Sequence, residues 1–137
     1  MPSITGIKET CLTVADLERS ERFYRDLFDL PVIGGDARFR ALDVAGSHVL
    51  LLFRSGSSEQ DMELPGGTIP SHGASGRSHL AFSISADDLE GWKELLAKRG
   101  VVIESTVTWS RGGTSLYFRD PDEHLIELMT PGVWSTY

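Results

Sequence analysis

The sequence has little of what marks secreted, membrane-spanning or nucleic-acid-binding proteins. Its 137 residues include a single cysteine, Cys11, which cannot form an internal disulfide, so nothing indicates an oxidising compartment. The longest apolar run, residues 49–53, is too short to span a bilayer, and residues 1–10 lack the apolar segment of a signal peptide. A cytoplasmic protein is therefore expected.

Positive charge is also scarce, which argues against two classes of partner. The formal net charge is −7, and no cluster of lysine and arginine stands out. Nucleic acids and anionic membranes are therefore not expected partners. The hydrophobic content of 40% and charged content of 24% are ordinary for a globular protein, and we expect residues 1–137 to form one domain with its own core.

The first part of the chain predicts one strand, one helix and three further strands. Residues 7–14 alternate partly between polar and apolar side chains, which favours a strand. Asp16 is placed to cap a helix with an apolar stripe at helical spacing, and Pro31 ends that helix. Three short strands follow, at about 31–35, 37–44 and 47–54.

The same order of elements returns after a stretch of different composition. Residues 55–77 are rich in glycine, serine and proline and indicate a loop, which is functional, mobile or a linker between two halves. Residues 78–85 predict a strand, and residues 87–99 predict a helix that ends at Gly100. Three strands follow, at about 101–108, 114–119 and 124–129.

The order βαβββ therefore occurs twice, and short alignments support a repeat. Residues 9–14 align with 79–84, and residues 48–53 align with 124–129. We expect an α+β fold in which tandem βαβββ modules form a curved, partly closed mixed sheet. The expected segments are a first module at 5–54, a connecting loop at 55–77 and a second module at 78–131.

Four positions are equivalent in this repeat, and three of them carry side chains that bind metals. These are Glu9, His79 and Glu127, and the fourth position is Leu51. One histidine and two carboxylates leave open positions for water or substrate, and the set suits divalent Mn, Fe, Co, Ni or Zn. Taken singly, Glu9 is as well explained by exposure on an edge strand, His79 by a structural role and Glu127 by pairing with an arginine.

Other side chains are candidates for the lining of a site or for proton transfer. His72, in the long loop, and Tyr117 are acid–base candidates, although an exposed loop histidine is the simpler interpretation of His72. His48 and His124 are repeat-equivalent but are expected to point away from the metal-binding face. The predicted lining comprises Cys11, Leu51, Phe53, Trp109, Leu125 and Met129.

Three stretches of the sequence resemble the vicinal oxygen chelate superfamily. LTVADLERSERFYRDLFDLPVI, at residues 12–33, resembles its opening module, and SHLAFSI with YFRDPDEHLIEL resembles its second module. The superfamily includes glyoxalase I, extradiol dioxygenases, fosfomycin-resistance enzymes, methylmalonyl-CoA epimerase and bleomycin-binding proteins. The resemblance covers nearly the whole chain, least of all residues 55–77, and it is more specific for the fold than for the reaction.

The resemblance implies a ligand set that departs from the family pattern at two positions. His79 and Glu127 stand where the superfamily places two metal ligands, whereas Glu9 stands where most members have histidine and some glutamine. A glutamate there favours harder ions such as Mn²⁺ or Mg²⁺ over Zn²⁺. Leu51 stands where glyoxalase I carries a glutamate that is both ligand and base, which argues against glyoxalase I activity. Extradiol enzymes use two histidines and one glutamate, so Glu9 also departs from their pattern.

Three hypotheses about function follow from the residues and the resemblance. The first is a divalent-metal-dependent enzyme acting on a small oxygenated or electrophilic molecule, by lyase, transferase or dioxygenase chemistry. The second is a non-catalytic protein that sequesters a small molecule such as a drug, and the third is a vestigial metal set in a domain for protein association. The resemblance also implies a homodimer, in which the two modules pair within one chain or across two.

Overall fold

The computed structural model describes residues 1–137 and divides into two compact units, Met1–Gly76 and Arg77–Tyr137. Each unit contains one open four-stranded mixed sheet and one α-helix, which confirms the α+β class. The boundary between the units lies at the end of the predicted connecting loop. None of the helices is long and apolar enough to cross a membrane.

The first unit is a βαβββ module followed by a small hairpin. Its sheet has the order β1-β4-β3-β2, in which β1 and β4 are parallel and the other neighbours are antiparallel. Strands β5 and β6 form a separate two-stranded sheet. The elements are β1 Glu9–Val14, α1 Leu17–Phe28, β2 Val32–Gly35, β3 Phe39–Val44, β4 His48–Arg54, β5 Met62–Leu64 and β6 Gly67–Ile69.

The second unit repeats the topology of the first. Its sheet has the order β7-β10-β9-β8, again with one parallel pair, β7 with β10, and antiparallel neighbours elsewhere. A short 3₁₀ turn, Ala86–Asp88, precedes its helix. The elements are β7 His79–Ser83, α2 Leu89–Lys98, β8 Ser105–Thr108, β9 Thr114–Arg119 and β10 Leu125–Met129. The predicted repetition of βαβββ is confirmed.

Helix α1 begins and ends where local side-chain chemistry favours it. The Asp16 side chain accepts a hydrogen bond of 3.0 Å from the backbone N of Arg19, which satisfies a free N–H of the first turn as predicted. The helix ends at Phe28 because Asp29 takes a left-handed conformation, with φ of 54°. Pro31 therefore follows the end of the helix rather than setting it.

In each unit, strand alternation sends one set of side chains to the buried face of the sheet. Leu50 and Leu52 of β4 and Ile126 and Leu128 of β10 are almost fully buried. Because successive side chains point to opposite faces, the intervening residues, Leu51 and Glu127, lie on the other face of their sheets. The fully buried Tyr24, Leu42, Leu96, Leu116 and Phe118 complete the apolar cores.

Residues 55–77, which the sequence indicates as a connecting loop, contain a short hairpin that was not predicted. Met62 pairs with Ile69 and Leu64 with Gly67 in the β5–β6 hairpin, whose turn contains Gly66. Strands of three residues are too short for polar and apolar alternation to be visible in the sequence. The rest of the stretch is irregular.

Candidate functional site: a histidine–glutamate pair and a cavity

The strand pairings show that residues aligned in the repeat occupy the same places in the two sheets. In the first unit Cys11 is the partner of Leu51 across the parallel pair β1–β4. In the second unit Ala81 is the partner of Glu127 across the parallel pair β7–β10. The alignment made from the sequence therefore has the correct register, and Leu51 occupies in one unit the place that Glu127 occupies in the other.

His79 and Glu127 come together in the second unit. The distance from His79 Nε2 to Glu127 Oε2 is 3.1 Å, and the Glu127 side chain is 5% exposed, against 49% for His79. His79 Nδ1 lies 2.9 Å from the carbonyl oxygen of Leu125, its partner across the strand pair. A carbonyl only accepts, so Nδ1 carries a proton, and in the neutral form of the ring the Nε2 lone pair faces the carboxylate.

When the ring is neutral, this geometry places two acceptors where one cation can bind both. In a neutral ring the Nε2 lone pair and the carboxylate oxygen are both acceptors, and Glu127 Oε1 is buried with no hydrogen-bond partner. Two donors about 2.1 Å from one ion, at an angle of about 90–100°, are separated by about 3.0–3.2 Å. The 3.1 Å between Nε2 and Oε2 fits that separation. A ring nitrogen oriented through a carbonyl at its other nitrogen is also the usual arrangement of a metal-binding histidine.

The pair supplies two ligands, which is fewer than a metal site requires. No group of three or more His, Cys, Asp or Glu side chains in the structure is arranged to hold a metal ion. Glu9, the third ligand expected from the sequence, belongs to the first unit. Structural zinc sites have four protein ligands and catalytic sites usually three, so a complete site needs at least one more donor.

Tyr117 lies beside the pair on the neighbouring strand. It is the partner of Glu127 across the antiparallel pair β9–β10, and its ring centroid is 6.4 Å from that of His79. Burial raises the pKa of Tyr117, and the Glu127 carboxylate raises that pKa further. A hydrogen bond with Ser115 lowers that pKa by a smaller amount. Tyr117 is therefore a protonated hydroxyl near neutral pH and can act as a donor.

Four other residues of the second unit that the sequence analysis singled out are also placed by the structure. Leu125 and Met129 are partly buried on β10, two residues on either side of Glu127 and thus on the same face. Trp109 donates a hydrogen bond of 2.8 Å from Nε1 to Ser115 Oγ. His124 is buried, and its Nδ1 accepts a hydrogen bond of 2.8 Å from the Ser78 backbone, which is a structural role.

The first unit contains a cavity of about 500 Å³. Glu9 and Cys11 of β1, and Leu51 and Phe53 of β4, contribute to its lining, so four residues predicted from the sequence lie around one space. His72 also lines it, with its ring edge-on to that of Phe53 at a centroid distance of 4.9 Å.

Several lining residues were not among those predicted from the sequence. Phe39 comes from β3, and Met62 and Ile69 come from the β5–β6 hairpin. Only the alternation of β3 carries a sequence signal for this role, since Phe39 shares a face with Ala41. The contribution of the hairpin depends on how it folds back within the unit, which no local pattern encodes. Thr10, Ser57, Ser58, Gln60 and Pro70 complete the missed positions.

The polar end of this cavity is acidic and carries the single thiol. The Glu9 carboxylate has no ion pair or hydrogen bond within the structure. Partial desolvation raises the pKa of Cys11, and the nearby Glu9 charge raises it further. The Cys11 thiol is therefore protonated near neutral pH and is not an activated nucleophile.

Comparison with known proteins finds curated relatives that are similar to most of the chain. The chain is 32% identical over 130 residues to "Metallothiol transferase FosB" of Staphylococcus epidermidis, covering 93% of this chain and 82% of the relative. It is 28% identical over 133 residues to "Fosfomycin resistance protein FosX" of Listeria innocua, covering 91% and 89%.

Solved structures are also similar to nearly the whole chain. The structure of a lactoylglutathione lyase from Agrobacterium tumefaciens has a TM-score of 0.88 and 29% identity, with coverage of 98% of this chain and 99% of that one. A fosfomycin resistance protein FosX from Mesorhizobium loti, at 24% identity and a TM-score of 0.67, shares the fold and covers 96% of each chain.

The family is identified by a match that spans most of the chain. The model described as "Glyoxalase/Bleomycin resistance protein/Dioxygenase superfamily" matches residues 6–128, which include both βαβββ modules. The resemblance seen in the sequence is therefore confirmed, and the chain belongs to the glyoxalase/bleomycin resistance protein/dioxygenase superfamily.

Proposed function

We propose that the protein is a divalent-metal-dependent enzyme that acts on a small oxygenated or electrophilic molecule. The observation that supports this most strongly is the His79–Glu127 pair, in which a buried carboxylate faces the ring nitrogen at 3.1 Å and keeps one oxygen without a partner. A buried acceptor without a partner costs about 1–3 kcal/mol of stability. A cost of this kind is expected where function requires the group.

The pair would hold the metal through His79 Nε2 and the Glu127 carboxylate. The bound metal would supply a Lewis acid that polarises a substrate oxygen. Glu9 is the proposed third ligand, since its carboxylate is free of ion pairs and stands at the repeat position equivalent to His79. With two carboxylates and one imidazole, the set suits Mn²⁺, Fe²⁺, Co²⁺ or Ni²⁺ as well as Zn²⁺ or Mg²⁺.

Two further side chains are proposed for proton transfer or hydrogen bonding. Tyr117 is a protonated donor next to Glu127 and would hold a substrate oxygen by its hydroxyl. His72 lines the cavity of the first unit and would exchange a proton with the part of the substrate that lies there. Leu51 supplies no base at the equivalent of Glu127, so we predict that the protein lacks lactoylglutathione lyase activity.

Metal analysis tests the proposal directly. Protein purified without chelator should contain a divalent ion, and after EDTA treatment it should bind Mn²⁺, Fe²⁺, Ni²⁺ or Zn²⁺ in calorimetric titrations. His79→Ala and Glu127→Ala should each weaken that binding at least about tenfold, because each removes one of the few protein ligands. His48→Ala, at an exposed position on β4, is the matched control and should bind metal normally. Absence of metal at any stoichiometry, before and after these additions, would refute the proposal.

We expect a homodimer, and a mixing experiment would show whether the modules of two chains share a site. Light scattering after size-exclusion chromatography gives the oligomeric state. Glu9→Ala and His79→Ala chains are then mixed and allowed to exchange. If each site combines Glu9 of one chain with His79 of another, a mixed dimer regains one intact site. If each site is built by one chain, the mixture binds metal no better than its components.

A second candidate function is sequestration of a small molecule without turnover. The cavity in the first unit favours it, since about 500 Å³ lies within the usual range for small-molecule sites and Leu51 makes part of the lining apolar. Tight binding of a ligand that is recovered unchanged, and that EDTA does not weaken, would support this function. Consumption of that ligand would exclude it.

A further inference from the structure

The cavity of the first unit has an aromatic and aliphatic wall. The rings of Phe39 and Phe53 stack with their centroids 5.7 Å apart, and Leu51 lies beside Phe53 on the lining of the cavity. Met62 and Ile69 of the β5–β6 hairpin complete this wall. Such surfaces bind apolar groups by removing them from water, and aromatic rings add offset or edge-to-face contacts with a planar ligand.

Apart from a metal ion held at Glu9, the same cavity offers no fixed positive charge to neutralise an anion. None of its thirteen lining residues is lysine or arginine, and its one carboxylate, Glu9, adds negative charge. His72 is the single lining side chain that can become cationic. A phosphonate, phosphate or carboxylate placed against the apolar wall would lose its hydration without gaining a charged partner.

We infer that this cavity binds an uncharged apolar portion of the substrate, aromatic or branched aliphatic, and excludes phosphonate, phosphate and carboxylate groups. That the occupant is part of a substrate rests on the proposed function, whereas the preference itself rests on the lining alone. The volume of about 500 Å³ accommodates a ring system with substituents.

Cys11 allows the preference to be measured without knowing the substrate. It lines the cavity and is the only cysteine of the chain. Alkyl methanethiosulfonates react with a thiolate by forming a mixed disulfide and releasing methanesulfinate, which leaves as the anion. Three reagents that differ only in the transferred group are compared: methyl, benzyl and the anionic sulfonatoethyl. The thiolate fraction is the same for all three, so it cancels from the ratios of their rates.

The measurements use the full chain at pH 8 with EDTA, and mass spectrometry follows the modification of Cys11. N-acetylcysteine gives the intrinsic ratios of the reagents. Relative to these, we expect the benzyl reagent to gain roughly tenfold over methyl, which corresponds to burial of about 55 Å² of apolar surface at about 25 cal/mol/Å². The sulfonatoethyl reagent should lose at least about fivefold, because Glu9 repels it and no cation attracts it.

Variants test whether the preference for the benzyl reagent arises from the apolar wall of the cavity. Phe53→Ala and Met62→Ala each remove part of the apolar wall and should reduce the benzyl gain at least about threefold. Ile33→Ala, on the same unit but 58% exposed and outside the lining, is the matched control and should leave the ratio unchanged. Met62 lies on the hairpin, so this variant remains informative if Phe53→Ala unfolds the sheet.

Specific outcomes would overturn the inference. One is a ratio of benzyl to methyl reaction rates at Cys11 equal to the ratio for N-acetylcysteine. Another is a rate for the sulfonatoethyl reagent, relative to methyl, that is higher at Cys11 than for N-acetylcysteine. A benzyl gain that survives both cavity variants would also overturn it. Because EDTA removes metal ions, these results do not depend on metal binding at His79 and Glu127, and a failure here is distinguishable from a failure of the metal titrations.

Discussion

Replacing Glu127 by glutamine is expected to stabilise the metal-free protein and to abolish its stabilisation by metal. In the native chain Glu127 Oε1 is buried without a partner, and Oε2 faces His79 Nε2 at 3.1 Å. Glutamine has nearly the same shape, carries no charge and offers an N–H that the ring nitrogen accepts. The substitution therefore turns a contact between two acceptors into a hydrogen bond.

The magnitude follows from the groups involved. Leaving a buried acceptor unpaired costs about 1–3 kcal/mol, and a new hydrogen bond contributes about 1 kcal/mol. Because glutamine keeps an unpaired carbonyl oxygen, only part of the cost is relieved, and we expect a net gain of about 1–2 kcal/mol. For a chain of this size the melting temperature should rise by about 4–8 °C. Metal at about 100 times its dissociation constant would stabilise the native protein by about 2.7 kcal/mol and the variant hardly at all.

The assay is thermal unfolding at pH 8 and one fixed protein concentration, with EDTA or with excess metal. We expect the variant to melt higher than the native protein in EDTA and lower in metal. Glu90→Gln is the matched control, since its side chain is 75% exposed, and it should change stability by less than about 0.5 kcal/mol in both conditions. If Glu127→Gln melts lower than the native protein in EDTA, and metal shifts both proteins equally, the reasoning is refuted.

Three further predictions concern the turn before β10, the C-terminal segment and the thiol. Asp120→Ala should cost about 1–3 kcal/mol in a denaturant titration, because Asp120 Oδ1 accepts two backbone N–H bonds of 2.9 Å in the turn, and an unchanged midpoint would contradict this. Gly132→Ala should cost at least about 2 kcal/mol, since φ is +102° and a Cβ would lie 2.6 Å from the Gly113 nitrogen; equal stability would refute that clash. Desolvation and the Glu9 charge raise the pKa of Cys11, so its alkylation by iodoacetamide should reach half its maximal rate at a higher pH than for free cysteine, and Glu9→Gln should lower that pH.

The sequence predicted the elements whose signals are local. The capping aspartate at Asp16, the apolar stripe of α1 and the alternation of the longer strands depend on neighbours within a few residues, and the structure shows these elements. The repeat also predicted the register of the paired strands correctly. Aligning Glu9 with His79 and Leu51 with Glu127 is correct in the structure, because equivalent strands pair in the same way in both units.

Contacts between distant segments were not predictable in the same way. The two strands of the β5–β6 hairpin have three residues each, and their place in the cavity wall depends on long-range packing. The carbonyl that orients His79 belongs to Leu125, whose main chain carries no sequence signal for this role. The pairing of Arg119 with Glu104, at 2.9 Å, likewise joins strand β9 to a residue outside the regular strands.

By itself the sequence determined the family, the repeated βαβββ order and the residue types that can bind a metal. Short-range patterns and the repeat are sufficient for this, because propensity, capping and alternation act between near neighbours. Only the tertiary structure decided that His79 Nδ1 bonds a carbonyl, that Glu127 keeps one oxygen without a partner, and that Cys11 lines a cavity with an apolar wall. These properties depend on distances and burial among residues far apart in the chain, which only folding brings together.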